Sequence, residues 1–165
     1  MTNDRWCPAY IGLGSNLQGP SRQVESAIQQ LDELAATRLV CYSGLYRSAP
    51  FGGVEQPEFV NSVAAILTQL SPHDLLDELK ALERARGREH GAQRWGPRIL
   101  DLDILVYSDR ILEEVGLTVP HPGIAERNFV LLPLREIAPE LVIPGLGRVA
   151  TIAINEREPR IERIA

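Results

Sequence analysis

Two aspartates occupy alternate positions of an apolar stretch. Residues 99–107 read Ile-Leu-Asp-Leu-Asp-Ile-Leu-Val-Tyr, a pattern that predicts a β-strand. Because successive side chains of a strand point to opposite faces, Asp101 and Asp103 should share one face, and Leu102 and Ile104 should point into the core. Two carboxylates this close can share one divalent cation or bridge two, and Mg²⁺ takes carboxylate, phosphate and water oxygens. The pair predicts a magnesium site, although a solvated strand face would also explain it.

An arginine-rich stretch precedes these aspartates. Residues 83–98 contain five of the 17 cationic side chains of the chain: Arg84, Arg86, Arg88, Arg94 and Arg98. Arginine presents planar, paired donors to phosphate oxygens and stays charged. Three glycines in the same stretch predict a loop that can cover a site and exclude water, which suits phosphoryl transfer. The stretch indicates a site for a phosphorylated anion, although a charged surface loop would explain the arginines equally well.

One amide stands inside an apolar strand. Asn61 lies within residues 59–69, which are otherwise mostly apolar and β-branched, and a buried amide needs hydrogen-bond partners. It could pair with the donor and acceptor edge of a heterocycle, on which Phe51, Phe59 or Phe129 could stack.

A histidine and a further arginine follow the aspartates. His121 lies in the rigid segment Val-Pro-His-Pro, and Arg127 comes six residues later. Both could bind phosphate oxygens or protonate a leaving group. Taken singly, His121, Arg127 and the residues around Asn61 are as well explained by packing.

The predicted elements alternate in a recognisable order. Strands are expected at residues 9–14, 38–48, 59–69 and 99–107, with helices opened by Pro20-Ser21 and by the N-cap Ser71 followed by Pro72. The order strand, helix, strand, strand, helix, strand predicts an α+β fold, a ferredoxin-like βαββαβ sandwich with helices packed on an antiparallel sheet. A C-terminal extension should add a short hairpin, a Pro-rich segment and a helix near residues 132–137.

The composition sets the broad class. A chain of 165 residues with 44% hydrophobic residues fits a single domain, with a core over about residues 9–150 and a peripheral tail at 151–165. The net charge of -5 argues against nucleic acid and anionic membranes as partners. The start lacks the apolar stretch of a signal peptide, and no run approaches the ~18 apolar residues of a membrane span. A cytoplasmic protein is expected, and a monomer is the default because no large apolar surface stripe is evident.

Several motifs occur together in a characteristic order. They are Gly12-Leu-Gly-Ser-Asn16, Tyr46-Arg-Ser-Ala-Pro50, Gln56-Pro-Glu-Phe-Val-Asn61, Arg94-Trp-Gly-Pro-Arg-Ile-Leu-Asp-Leu-Asp-Ile-Leu105, Leu117-Thr-Val-Pro-His-Pro122 and Ile137-Ala-Pro-Glu-Leu141. With these motifs the chain closely resembles the 6-hydroxymethyl-7,8-dihydropterin pyrophosphokinase family. The string from Arg94 to Leu105 is the most specific of them.

The resemblance implies an activity and a set of site residues. It implies transfer of diphosphate from ATP to the pterin hydroxymethyl group with release of AMP in folate synthesis, using two Mg²⁺ ions held by Asp101 and Asp103. Arg88 and Arg98 resemble loop arginines that grip the phosphates and stabilise charge during transfer. The other implied ATP contacts are Arg94, Trp95, Thr118, His121 and Arg127. The implied pterin pocket comprises Ser48, Phe51, Gly52, Phe59, Asn61, Phe129 and also Trp95, which should close over it.

Three positions depart from the family pattern. His90 stands where many relatives have a second loop arginine, Gly116 where some have an arginine, and Phe59 replaces a common tyrosine. None removes a metal ligand or either main loop arginine, so activity should be kept. No general base is evident in the sequence.

Two other classes of function deserve comparison. A two-metal phosphatase or nuclease would use Asp101 and Asp103 but would leave Asn61 and the aromatic residues unexplained. A non-catalytic ferredoxin-like module binding a small ligand or RNA would have no need of the carboxylate pair. RNA binding also needs exposed aromatics and a basic surface, whereas aromatics are only 5% here and the charge is negative.

Overall fold

The computed structural model describes residues 2–50, 53, 55–87 and 97–165. Its strands are β1 (Thr2–Ser15), β2 (Thr37–Tyr42), β3 (Tyr46–Ser48), β4 (Phe59–Leu70), β5 (Asp101–Tyr107), β6 (Leu112–Glu114), β7 (Leu117–Val119), β8 (Val142–Ile143), β9 (Gly147–Arg148) and β10 (Ile161–Arg163). Its α-helices are α1 (Pro20–Asp32), α2 (Pro72–Ala85) and α3 (Asn128–Ile137), and two 3₁₀ turns cover Ile124–Glu126 and Val149–Thr151.

The main sheet is antiparallel and has the expected topology. Its order is β10-β3-β4-β1-β5, and β2 also pairs with β4, while β6 with β7 and β8 with β9 form separate hairpins. The first five strands with α1 and α2 therefore form the predicted ferredoxin-like arrangement, in which β1 and β4 lie at the centre.

Two apolar cores fix this sheet between helices. On one face, α1 and α2 contribute Ile28, Leu31 and Leu75 to a core shared with Leu102 and Ile104 of β5. The predicted cap of α2 is present, since Ser71 Oγ accepts from the Asp74 amide at 3.1 Å. Opposite these helices, α3 packs in a second core that includes Val63, Leu105, Leu131 and Leu134. The side of β5 that carries the aspartates is consequently the side of α3.

Three elements differ from the sequence prediction. The strand predicted for residues 38–48 is divided into β2 and β3, because four positions separate Tyr42 from Tyr46 but only three separate their β4 partners, Ala64 and Asn61. The helix predicted near 132–137 begins earlier, at Asn128, and contains Pro133. The tail expected to be peripheral instead supplies β10, an edge strand paired with β3.

Within the described parts of the chain, every helix is too short or too polar to cross a lipid bilayer.

Candidate functional site

A cleft of about 240 Å³ opens beside α3, where β1, β4 and β5 begin or end. Nine residues that the sequence singled out line it: Ser48, Phe59, Asn61, Arg98, Asp101, Asp103, His121, Arg127 and Phe129. The remaining lining comes from Gly12, Leu13, Gly14, Ala49, Ser62, Leu105 and Val130. Residues from six separate stretches of sequence thus meet in one cavity.

The strand register explains how the two aspartates reach the cleft. Asp101 of β5 is paired with Gly14 of β1, and Asp103 is paired with Gly12. Cross-strand partners have their side chains on the same face, so each carboxylate has a glycine beside it instead of a side chain. Both carboxylates are partly accessible. The arrangement leaves room above the pair for a ligand.

The donor set at this point suits magnesium. Among residues 2–50, 53, 55–87 and 97–165, no three His, Cys, Asp or Glu side chains are grouped so that they could hold a metal ion by themselves. Two carboxylates facing an open cleft fit Mg²⁺, which is commonly bound by one or two carboxylates together with substrate phosphates and water. A structural site closed by protein ligands alone would need more donors.

His121 faces the carboxylates as a neutral ring. Burial, and then the charge of Arg127, lower the pKa of His121 to about 4, although Asp101 acts in the opposite direction. Its Nδ1 accepts from the Gly123 amide at 3.0 Å, so its Nε2 carries the hydrogen. That Nε2 lies 4.0 Å from Asp103 Oδ2. His121 therefore offers the cleft a hydrogen-bond donor.

Arginine and aromatic side chains form the adjoining wall. The Arg127 guanidinium carbon lies 5.9 Å from the centre of the Phe129 ring. Arg127 immediately precedes α3 and Phe129 lies in its first turn, so the start of this helix presents one cation and one ring to the cleft. A charged and an aromatic surface are thereby available side by side.

Asn61 is held from behind by β3. It is 5% exposed, and its Nδ2 donates to Ser48 Oγ at 2.9 Å and to the Tyr46 carbonyl at 3.3 Å. The Asn61 amide therefore has the partners that burial requires, while the residue still lines the cleft.

Asn16 is a functional candidate that reasoning from the sequence did not single out. It is 3% exposed, its backbone amide donates to the Arg98 carbonyl at 2.9 Å, and its side-chain Oδ1 accepts from the Arg98 backbone amide at 2.8 Å. Its Nδ2 also donates to Gln56 Oε1 at 2.9 Å and to the Pro57 carbonyl at 3.0 Å. The available signal was its place directly after β1, within the motif Gly12–Asn16.

Some predicted site residues are placed elsewhere. Thr118 is exposed in β7 and is not part of the cleft lining, and Gly116 forms the turn of the same hairpin with a φ of 82°. Phe51, Gly52, Arg88, Arg94 and Trp95 lie outside the described residues, as does His90.

Comparison with known proteins identifies the family. The profile of the family described as 7,8-dihydro-6-hydroxymethylpterin-pyrophosphokinase (HPPK) matches residues 10–139. A 2-amino-4-hydroxy-6-hydroxymethyldihydropteridine pyrophosphokinase of Haemophilus influenzae is 48% identical over 137 residues, covering 83% of this chain and 85% of the relative. The enzyme of the same name from Pseudomonas aeruginosa is 49% identical over 135 residues, covering 82% and 83%.

A solved structure shares the fold at low identity. The crystal structure of Plasmodium falciparum HPPK-DHPS with pterin and p-hydroxybenzoate matches with a TM-score of 0.76 and 17% identity. The match covers 98% of this chain but only 46% of that longer one, so this chain spans less than half of it. From the profile match and the two bacterial relatives it follows that the chain belongs to the 7,8-dihydro-6-hydroxymethylpterin-pyrophosphokinase family.

Proposed function

We propose that the cleft between β1, β4 and β5 is where this pyrophosphokinase transfers diphosphate from ATP to 6-hydroxymethyl-7,8-dihydropterin, a step of folate biosynthesis that releases AMP. The observation that carries the assignment is the register around Gly14, which is paired with Asn61 on one side and Asp101 on the other. Because neighbouring strands lie ~4.8 Å apart, the strands of Asn61 and Asp101 are about 10 Å apart. That spacing suits a heterocycle on one side and a polyphosphate on the other.

The phosphate side is built on β5 and residues 121–127. Asp101 and Asp103 would hold two Mg²⁺ ions, which would neutralise phosphate charge and orient the β- and γ-phosphate oxygens. Arg98, Arg127 and the Nε2–H of His121 would donate to the phosphate oxygens. From the family resemblance, Arg88, Arg94 and Trp95 would cover the site from the intervening loop, and Thr118 would contact a part of ATP that extends beyond the cleft.

The pterin side is built on β3, β4 and the start of α3. Asn61 would offer its Oδ1 to a donor on the ring edge, while its Nδ2 stays bonded to Ser48 and Tyr46. Phe59 and Phe129 both line the cleft and would supply ring contacts. By the family resemblance, Phe51 and Gly52 would also belong to the pterin pocket.

The reaction proposed is an in-line displacement at the β-phosphorus. The hydroxymethyl oxygen forms a bond to that phosphorus, its proton passes to water, and the bond from the β-phosphorus to the α,β-bridging oxygen breaks so that AMP departs with the electron pair. The protein residues would act by positioning the two substrates and by stabilising the charge that develops on phosphate oxygens. No residue is assigned as a general base.

We also propose that the enzyme acts as a cytoplasmic monomer on small molecules, without nucleic acid or membrane partners. The net charge of -5 disfavours binding to polyanions. Cys7 and Cys41 are both free thiols, which is usual in a reducing compartment.

A single assay tests the reaction. AMP release from ATP and Mg²⁺ should be measured by a coupled assay with and without 6-hydroxymethyl-7,8-dihydropterin. AMP that appears only with the pterin supports the proposal. ADP or free phosphate released regardless of the pterin would instead support a two-metal hydrolase.

A further inference from the structure

Residues 155–165, here called the closing segment, lie beyond the family profile match, which ends at residue 139. Their strand β10 pairs with β3 through backbone hydrogen bonds. The Ala49 amide donates to the Arg160 carbonyl at 2.9 Å, and the Ile164 amide donates to the Leu45 carbonyl at 2.8 Å. The strand β3, only three residues long, is thereby paired on both sides, with β4 and with β10.

A glycine allows the closing segment to approach β3 this closely. A Cβ atom at Gly44 would lie 2.2 Å from the Ala165 carbonyl oxygen, well inside contact distance, and within 2.5 Å of the Arg163 guanidinium. Any side chain at residue 44 would therefore displace the segment. The same turn is fixed by the Leu45 amide, which donates to Ala165 at 3.0 Å.

The end of α3 is joined to both strands by one carboxylate. Glu136 accepts from the Tyr46 hydroxyl at 2.6 Å, from the Gly44 amide at 2.9 Å and from Arg163 Nε at 3.1 Å. Tyr46 belongs to β3 and Arg163 to β10, so Glu136 connects three elements.

The beginning of α3 is joined to the closing segment as well. Asn128 is 2% exposed, and its Nδ2 donates to the Asn155 carbonyl at 2.8 Å and to the Pro159 carbonyl at 2.7 Å. Both ends of α3 are thus attached to the segment, directly or through β3.

These attachments reach the cleft on its pterin side. The Tyr46 carbonyl and Ser48 Oγ of β3 accept hydrogen bonds from Asn61 Nδ2. On the other side, α3 carries Phe129 next to Asn128. We propose that the closing segment, anchored by Glu136 and Asn128, is a brace. It sets the distance between the two walls of the pterin pocket, one carrying Asn61 and the other carrying Phe129. Glu136 is then a positioning residue for the pterin. This inference rests on the proposed function of the cleft.

The brace should affect pterin binding more than ATP binding. The carboxylates of the phosphate side lie on β5, which is separated from β3 by β4 and β1 in the sheet. Arg127, the phosphate-side residue beside α3, lies at the opposite end of that helix from Glu136. Loosening the brace at Glu136 should therefore change pterin binding more than ATP binding.

Glu136→Ala, compared with Glu162→Ala, tests this difference. Glu162 is a carboxylate of β10 itself, but it pairs with Arg47 on the exposed side of the strands, where its side chain is 61% accessible. We expect Glu136→Ala to raise the KM for the pterin at least ten-fold and to keep the KM for ATP within two-fold. Glu162→Ala should keep both within two-fold, and Glu136→Gln, which retains an acceptor for Tyr46, should show a smaller rise than Glu136→Ala.

Gly44→Ala provides a second variant, since it displaces the segment from β3 while the Glu136 carboxylate itself is kept. It should reproduce the selective rise in the KM for the pterin, and circular dichroism and thermal melting should establish that each variant is folded. An unchanged pterin KM in folded Glu136→Ala and Gly44→Ala would overturn the brace, as would an equal rise for ATP. The Kd for the pterin should be measured by its fluorescence in parallel. Wild-type protein that binds the pterin without forming AMP would contradict the proposed function, while the Kd values of the variants would still decide the brace.

Discussion

Asn16 and Arg98 exchange two hydrogen bonds in opposite directions. The Asn16 backbone amide donates to the Arg98 carbonyl at 2.9 Å, and the Arg98 backbone amide donates to the side-chain Oδ1 of Asn16 at 2.8 Å. This contact joins the residue after β1 to the last residue of the arginine-rich stretch. It fixes the backbone of Arg98 at the edge of the cleft that its side chain helps to line.

Asn16→Ala should lower both stability and turnover. The substitution removes the side-chain bonds to Arg98, Gln56 and Pro57. These partners are partly buried or exposed, so water replaces part of the loss, and we expect the free energy of unfolding to fall by about 1 kcal/mol. A misplacement of Arg98 by ~1 Å should reduce kcat by up to about 100-fold. Urea denaturation and steady-state assays check the two effects, with Gln29→Ala on the exposed side of α1 as the control. A normal kcat in the variant would show that Asn16 has only a structural role.

Asp101→Ala and Asp103→Ala should each remove most of the turnover. Each variant loses one of the two carboxylates proposed to hold Mg²⁺, and loss of one preorganised charge-stabilising group typically costs ~10²–10³ in kcat. AMP release should be measured across a Mg²⁺ titration, because weakened metal binding also shifts the required concentration upward. Asp109→Ala, just beyond β5 and exposed, is the matched control. Near-normal turnover of Asp101→Ala would exclude Asp101 from the metal site.

Local patterns predicted the residues that depend on strand periodicity. The alternation around Asp101 and Asp103 is visible in sequence because a strand places every second side chain on one face. Asn61 was identifiable for a related reason, as a polar residue in a run that must be buried. The ferredoxin-like order could also be predicted, because helix caps and hydrophobic periodicity depend only on residues close together in sequence.

Contacts between distant residues could not be predicted in this way. The bonds of Asn16 reach residues 40 and 82 positions away, so no local pattern reveals them. The strand β10 has three residues and no apolar alternation, and it forms because Gly44 leaves space for it. The start of α3 was missed because Pro133 lies inside that helix, where proline usually marks an end. Thr118, by contrast, came from family resemblance, and the fold places it on an exposed hairpin.

Gly14→Ala should selectively weaken pterin binding. A Cβ atom at residue 14 would lie 3.3 Å from Asn61 Oδ1, so the Asn61 amide must shift from its position against Ser48. We expect the KM for the pterin to rise by about ten-fold, equivalent to ~1.4 kcal/mol. Gly12→Ala is the matched comparison, because the three atoms nearest its Cβ, at 3.3–3.5 Å, all belong to the Leu105 side chain. Equal effects of the two substitutions on pterin binding would argue against a specific contact through Asn61.

Glu136 should make the stability of the protein depend on acidic pH. Burial alone would raise the pKa of Glu136, but hydrogen bonds from Tyr46, the Gly44 amide and Arg163 outweigh it and lower that pKa below its ordinary value of 4.5. A carboxyl with a lowered pKa in the folded state contributes stability that is complete above 4.5 and is lost as pH falls through the folded value. The free energy of unfolding of wild-type protein should therefore fall more steeply below pH 4.5 than that of Glu136→Gln. The side chain is 30% accessible, so we expect the difference to stay within about 1 kcal/mol after screening by solvent.

Urea denaturation at several pH values measures this difference in the free energy of unfolding. Glu162→Gln, which changes an exposed ion pair with Arg47, should show a smaller difference that 1 M salt abolishes. Parallel pH profiles for wild type and Glu136→Gln would mean that the carboxylate of Glu136 contributes nothing beyond a neutral acceptor.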